Sequence, residues 1–201
     1  MNAIDKLAEL LKELPGVGPR QAKRFVYFLL MKNENYLREL SDLIPEIKKR
    51  VSSCQNCFRY FSKDESNGSL CKTCLDKNRS TKSLMIVSRD TDYEAVEKSN
   101  SFDGYYFVLG GILPVLEQDP QKFIRLNELR KVIEERKIAG LEEIILALNA
   151  NPDGDFTADF LKKELSNTGL KITTLGRGLS TGTELEYSDK DTIGNALKNR
   201  N

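Results

Sequence analysis

Apolar residues recur at helical spacing over residues 2–13, where Ile4, Leu7, Ala8, Leu10 and Leu11 share one face. Leu14-Pro15-Gly16-Val17-Gly18 breaks that rhythm, because proline cannot continue a helix and glycine permits turns that other side chains forbid. Pro19 suits the first position of a second helix, predicted to carry Phe25, Phe28 and Leu29 on its apolar face. A third helical pattern, Tyr36, Leu37, Leu40, Leu43, Ile44 and Ile47, is expected to break near Pro45. Periodicity then vanishes from Cys54 to Cys74. Beyond it the chain alternates. Strands are predicted at 84–87, 105–109, 144–148 and 171–175, with helices at 91–98, 125–137 and 155–166 and a short terminal helix at 190–199. Apolar strands alternating with helices imply a mainly parallel sheet covered on both faces. There is no internal repeat or low-complexity tract.

Composition narrows the function classes. The 201 residues suit one domain or two small ones, with 39% hydrophobic and 30% charged residues and a mean hydropathy of −0.45. No apolar run approaches the ~20 residues of a membrane span. The first residues lack the apolar core of a signal peptide, so a cytoplasmic, nucleoid-associated protein without membrane contact is expected. Histidine is absent, which excludes histidine-based triads, general bases and metal ligands. Net charge is only +1, but it is unevenly spread. Residues 1–53 carry 10 basic and 7 acidic side chains, residues 54–82 carry 6 and 3, and residues 83–201 carry 15 and 20. A polyanion would meet the amino-terminal half, and a basic partner the carboxy-terminal half.

The first chemistry lies in Leu14-Pro-Gly-Val-Gly-Pro-Arg20. Residues 15–33 hold Arg20, Lys23, Arg24 and Lys32 and no acid. Arg20 and Arg24 are four apart, so they project from one helical face. A glycine turn entering a helix presents amides to phosphate oxygens, and nothing here reads base edges, so sequence-independent, salt-weakened DNA binding by Arg20, Lys23 and Arg24 is expected. A plain helical hairpin would use the same turn. The string resembles the helix-hairpin-helix motif of DNA-repair proteins.

Cys54-x2-Cys57 and Cys71-x2-Cys74 form two knuckles. Two such pairs complete a tetrahedral four-thiolate site, closed to water and therefore structural, so one Zn²⁺ per chain is expected. Redox pairs or free buried thiols are the alternatives.

The carboxy-terminal alternation resembles a Toprim domain. Such enzymes hold Mg²⁺ with a Glu after the first strand and a DxD after a later one, yet Ser88 and Asn149-Ala150-Asn151 stand at those places. Neutral amides cannot supply the charge that Mg²⁺ requires, so a catalytically degenerate domain is expected. A Mg²⁺-dependent nuclease or primase-like enzyme using Asp153 and Asp155, with Asp90 or Asp92, is the rival. The same aspartates equally suit an acidic helix start.

Taken in order, the helix-hairpin-helix string, the two cysteine pairs, Val108-Leu-Gly-Gly111, Asn149…Asp153-Gly-Asp155-x-Thr157 and Gly178…Gly182-Thr-Glu-Leu-Glu-Tyr187 resemble the bacterial RecR family of recombination mediators end to end. The resemblance implies an α+β chain of several modules: a DNA-binding helix-hairpin-helix domain at 1–53, a four-cysteine zinc finger at 54–82, a Toprim-like domain with a mainly parallel sheet at 83–176, and a carboxy-terminal segment with a short helix at 177–201. It also implies a non-enzymatic homotetramer that binds single- and double-stranded DNA and works with RecO, and with RecF, to load RecA at gaps. Arg20 and Arg24 then match DNA-contacting positions, with Lys23 beside them. Cys54, Cys57, Cys71 and Cys74 match zinc ligands, and Asp153 and Asp155 match an acidic pair that meets RecO. Ser88, Arg177, Ser180, Thr183 and the loop Ile112–Asp119 depart from the usual family pattern, which bears on partner contacts more than on the fold.

Overall fold

The computed structural model describes residues 1–66, 68–115 and 119–200. The chain divides into two compact units, Met1–Val51 and Ser52–Asn201.

The first unit contains α1 (Ala3–Lys12), α2 (Pro19–Leu30) and α3 (Glu34–Arg50). Asn2 and Asn33 start α1 and α3 by accepting the backbone N–H groups of Asp5 at 2.8 Å and Tyr36 at 2.9 Å. Between α1 and α2 the turn uses Pro15 followed by Gly16 at φ +78°, and the Val17 N–H donates to the Leu14 carbonyl at 3.0 Å. That is a type II turn, whose third residue needs the positive φ that glycine adopts without strain. Ala8, Ala22 and Val26 are buried where the two helices meet, with Ile4, Leu11 and Val17 around them. Small residues decide the packing face because they let the backbones approach. Phe28, predicted on that face, is instead 44% exposed, with the Lys32 ammonium 4.4 Å from its ring centre. Nor does Pro45 break α3, which runs through it to Arg50. Ser41, whose carbonyl loses its donor, is exposed and open to water, and α3 buries none of its residues, so a local bend disturbs no core.

A two-stranded ribbon follows, β1 (Val51–Ser53), whose first residue ends the first unit, and β2 (Tyr60–Ser62), and then a single helical turn, α4 (Lys72–Leu75). Then follow β3 (Ser83–Val87), α5 (Asp90–Ser99), β4 (Tyr105–Val108), α6 (Leu126–Ile138), β5 (Glu143–Ala147), α7 (Pro152–Glu164), β6 (Lys171–Thr174) and α8 (Lys190–Lys198). The sheet has the order β4-β3-β5-β6 and is parallel throughout, with Leu84 level with Tyr105 and Ile144, and Ile144 with Ile172. Successive strand residues face opposite ways. Leu84, Ile86, Phe107, Ile144 and Leu146 pack with Leu129 and Ile133 of α6 and Leu161 of α7. Met85, Val87, Tyr106 and Val108 pack against Tyr93 and Val96 of α5 on the other face. Both faces are thus covered, as the unbroken apolar strands require. No helix among the described residues is long and apolar enough to cross a membrane.

Candidate nucleic-acid interface and metal centre

Arg20, Lys23 and Arg24 occupy the first two turns of α2 and are exposed. Among the described residues no carboxylate pairs with any of them, whereas Lys12, Arg38 and Arg50 of the same unit pair with Glu9, Glu34 and Glu46. Gly18 starts α2 with no side-chain cap, and nothing lies within 4 Å of where a Cβ would stand at Gly16 or Gly18. The space beside Gly16 and Gly18 is therefore open to an incoming ligand, while the Val17 N–H is taken up by the turn's own hydrogen bond.

The four cysteines converge. Their sulfur atoms all lie within 4.8 Å of one another, and Cys57 and Cys71 are 3.6 Å apart. Four sulfurs around an ion at the zinc–sulfur distance of about 2.3 Å would be separated by about 3.8 Å, so the spacing fits. Local hydrogen bonds shape each knuckle: the Phe58 N–H donates to the Cys54 carbonyl at 2.9 Å, the Cys74 N–H to the Cys71 carbonyl at 3.1 Å, and the Cys71 N–H to the Cys54 sulfur at 3.4 Å. With protons as their only counter-ions the thiols would share charge unequally. Hydrogen bonds from Cys57, Cys71 and Cys74 hold Cys54 far below the usual thiol range, while donating to Cys54 pushes Cys57 and Cys74 above it. This donor set could hold a metal ion.

The knuckles are built into the sheet unit. The Val108 N–H of edge strand β4 donates to the Cys57 carbonyl at 2.7 Å, and the Phe58 ring lies 5.4 Å from Phe107. Phe58 pays for this position with φ +61°, a conformation unfavourable for a bulky residue. Thr73 of the second knuckle shares a hydrogen bond of 2.7 Å with the Tyr93 hydroxyl of α5. Arg59, a buried residue absent from the sequence-based site, lies with its guanidinium 5.0 Å from the centre of the Tyr93 ring. Arginine is ordinarily exposed, so no sequence pattern marks it.

The carboxylates of the rival Mg²⁺ site each have a separate structural partner. Asp90 accepts the Tyr60 N–H at 2.7 Å, joining α5 to β2. Asp92 accepts the Arg89 N–H at 3.0 Å within its own helix cap. Asp153 accepts the Val115 N–H at 3.0 Å, and Asp155 forms a two-pronged ion pair with Arg177. That guanidinium holds the Asp155 carboxyl below its ordinary range. Both aspartates lie in the first turn of α7, which starts at Pro152 because the Asn151 side chain caps it by accepting the Gly154 N–H at 2.8 Å. Ser88 is fully buried, and its hydroxyl has no hydrogen-bond partner among the described residues. Of the divergent loop Ile112–Asp119, Leu113 is bound to Thr157 at 2.9 Å and Val115 to Asp153, and residues 116–118 lie outside the described residues. Among the described residues, the cysteines are the one group of three or more metal-ligating side chains brought together.

Known proteins place this architecture. Residues 4–47 match the RecR helix-hairpin-helix family, 82–176 the Toprim domain and 178–201 the RecR C-terminal family. The chain is 35% identical over 204 residues to the Recombination protein RecR of Bdellovibrio bacteriovorus, covering 100% of this chain and 97% of that protein. The chain belongs to the RecR family. RecR of Legionella pneumophila is 36% identical over 200 residues, with 100% and 96% covered, and RecR of Dehalococcoides mccartyi is 35% identical over 198 residues, with 98% and 93% covered. The Toprim match falls on the parallel sheet, where Asp90 and Asp153 accept backbone N–H groups.

Proposed function

We propose that this chain is a non-catalytic DNA-binding mediator of recombinational repair. The observation that carries the reading is the exposed, acid-free face formed by Arg20, Lys23 and Arg24 beside an open glycine turn. Such a face neutralises successive phosphates of either single- or double-stranded DNA without reading sequence. Self-assembly into a tetrameric clamp draws support from α3, where Leu40, Leu43, Ile44 and Ile47 are all exposed on a helix that buries nothing within the chain. The centre formed by Cys54, Cys57, Cys71 and Cys74 holds one structural Zn²⁺, and its four thiolates leave no position for a reacting water. RecO, and RecF with it, would be met on the acidic sheet unit around Asp153 and Asp155 during loading of RecA at gaps, in the cytoplasm on the nucleoid. Because Asp155 is already paired with Arg177, such a partner must compete with that guanidinium.

DNA binding followed across a salt series tests the reading. The double variant Arg20→Ala/Arg24→Ala should bind more weakly, and the slope of log affinity against log salt should fall by roughly 0.9 for each phosphate no longer neutralised. Unchanged affinity and slope would remove the hairpin from the mechanism. Supercoiled plasmid incubated with the protein and Mg²⁺ should remain intact; nicking that disappears in Asp153→Ala would restore the enzymatic rival.

A further inference from the structure

We propose that Tyr27 is a base-stacking residue on the cationic face of α2, one that favours strands with unpaired bases over duplex. The inference rests on the DNA-binding reading above and adds to its phosphate contacts a contact with the nucleobase itself.

Helix geometry puts the ring where a bound strand would pass. With about 3.6 residues per turn, Arg20, Lys23, Arg24 and Tyr27 fall within about 100° of the circumference of α2, and Tyr27 stands about 4.5 Å along the axis from Arg24. Ala22 and Val26 point another way, into the buried contact with α1. Tyr27 is 55% exposed.

A single exposed aromatic is ordinary on a protein surface. Three features set this one apart. Its side chain has no hydrogen bond, cation or ring partner among the described residues. The neighbouring rings are engaged, because the Lys32 ammonium lies 4.4 Å from the ring centre of Phe28 and 5.5 Å from that of Tyr36. The apolar groove of this unit draws Val26, Leu29 and Leu30 from α2 but not Tyr27.

Unpaired bases offer π faces that a duplex keeps stacked on one another. An aromatic ring takes such a face whatever the base, so the contact preserves the sequence independence expected of the phosphate contacts. Arg20, Lys23 and Arg24 would hold the backbone of the strand while Tyr27 holds a base beside it. A cationic track next to an aromatic platform is the arrangement that single strands require.

The simpler account covers Tyr27 with a second copy of the chain, together with the exposed apolar residues of α3. Charge speaks against it. Residues 15–33 contain no acid, so a two-fold contact through this face would set Arg20, Lys23 and Arg24 of one copy near the same cations of the other, with no carboxylate from this stretch between them.

The test compares three ligands at one salt concentration by fluorescence anisotropy: a single-stranded thymidine oligomer, an abasic strand of equal length and charge, and a duplex. Wild type should bind the thymidine oligomer about 5- to 100-fold more tightly than the abasic strand. Tyr27→Leu should lose that preference while its affinity for the abasic strand and the duplex stays within about twofold of wild type. Tyr27→Phe should keep the preference, because the ring and not the hydroxyl makes the contact. The chain contains no Trp, so Tyr27→Trp supplies a single fluorophore whose emission should be quenched by the thymidine oligomer and unchanged by the abasic strand. Equal affinity of wild type for thymidine and abasic strands would overturn the proposal and leave the phosphate contacts standing. So would an undiminished preference in Tyr27→Leu or an unquenched Trp. A loss in Tyr27→Leu equal on all three ligands, with a changed mass in solution, would also overturn it and assign Tyr27 to self-assembly. If wild type binds none of the three, or if Arg20→Ala/Arg24→Ala binds the abasic strand as wild type does, the DNA-binding reading itself fails and stacking falls with it.

Discussion

Replacing Gly154 with alanine gives a sharp test of how the turn between β5 and α7 is built. On an ordinary exposed helix the change would stabilise, since glycine costs about 1 kcal/mol relative to alanine. Here the new methyl would stand 2.0 Å from the Asn149 carbonyl oxygen, 2.9 Å from its carbon and 3.1 Å from the Asn151 Oδ1. The first two neighbours are backbone atoms, so no rotamer change relieves them. The turn must open, and opening it takes away the Asn151 cap on the Gly154 N–H. Losing a cap costs about 1 kcal/mol and forced overpacking about 1–3 kcal/mol, so a net destabilisation of about 1–3 kcal/mol is expected after the helix-propensity gain. For a chain of this length that is roughly 2–12 °C in Tm. Thermal unfolding of zinc-replete protein, followed by far-ultraviolet circular dichroism beside Asn151→Ala, separates the two contributions. Asn151→Ala alone should lose about 1 kcal/mol. A Gly154→Ala protein as stable as wild type, or more so, would refute the claim that this turn is closed tightly on its own backbone.

Further outcomes follow from the same structure. Cys57→Ser should lose metal and lower the Tm, because the sulfur removed is one of four and the adjoining carbonyl pairs with β4; full metal content with an unchanged Tm would disprove four-thiolate binding. Asp155, held below the ordinary carboxylate value of 3.8 by Arg177, contributes stability that is present above about pH 4 and lost as pH falls through its depressed folded-state value. The pair is largely solvent-exposed, so the effect is small, and Arg177→Ala should flatten the acid limb of a stability–pH curve without changing stability near pH 7 by more than about 1 kcal/mol. An acid limb identical in Arg177→Ala and wild type would show that the pair carries no linkage.

Residue pattern reveals some of these features and conceals others for physical reasons. The parallel sheet is legible because its strands are buried on both faces, and burial leaves unbroken apolar runs such as Leu84-Met85-Ile86-Val87. The ribbon of β1 and β2 and the turn of α4 are not, because no periodic apolar face holds them; cysteines and a few backbone hydrogen bonds do. Phe28 misleads because size is a poor guide to which face two helices share when alanines allow close approach. The early start of α7 follows from Asn151 and Pro152, a cap and first-position pair present in the sequence but overshadowed there by the neighbouring aspartates.

Those aspartates serve local contacts at the strand ends of the Toprim-matching sheet. Neutral residues stand at positions 88, 149 and 151, and Ser88 is fully buried. Here Asn151 and the four aspartates each make a local bond instead, while the Ser88 hydroxyl has no partner among the described residues. Asn151 caps α7, Asp153 secures the backbone at Val115, Asp90 ties α5 to the cysteine ribbon, and Asp155 engages Arg177, whose carbonyl accepts the Asn199 side-chain N–H at 2.7 Å. Each carboxylate accepts from a donor of its own, so bringing several of them onto one divalent ion would break a different hydrogen bond or ion pair for each ligand. Adding one acidic residue at position 88, 149 or 151 is therefore expected not to create a Mg²⁺ site. The competing partners, together with the missing charge, thus weigh against the Mg²⁺-dependent rival at this corner.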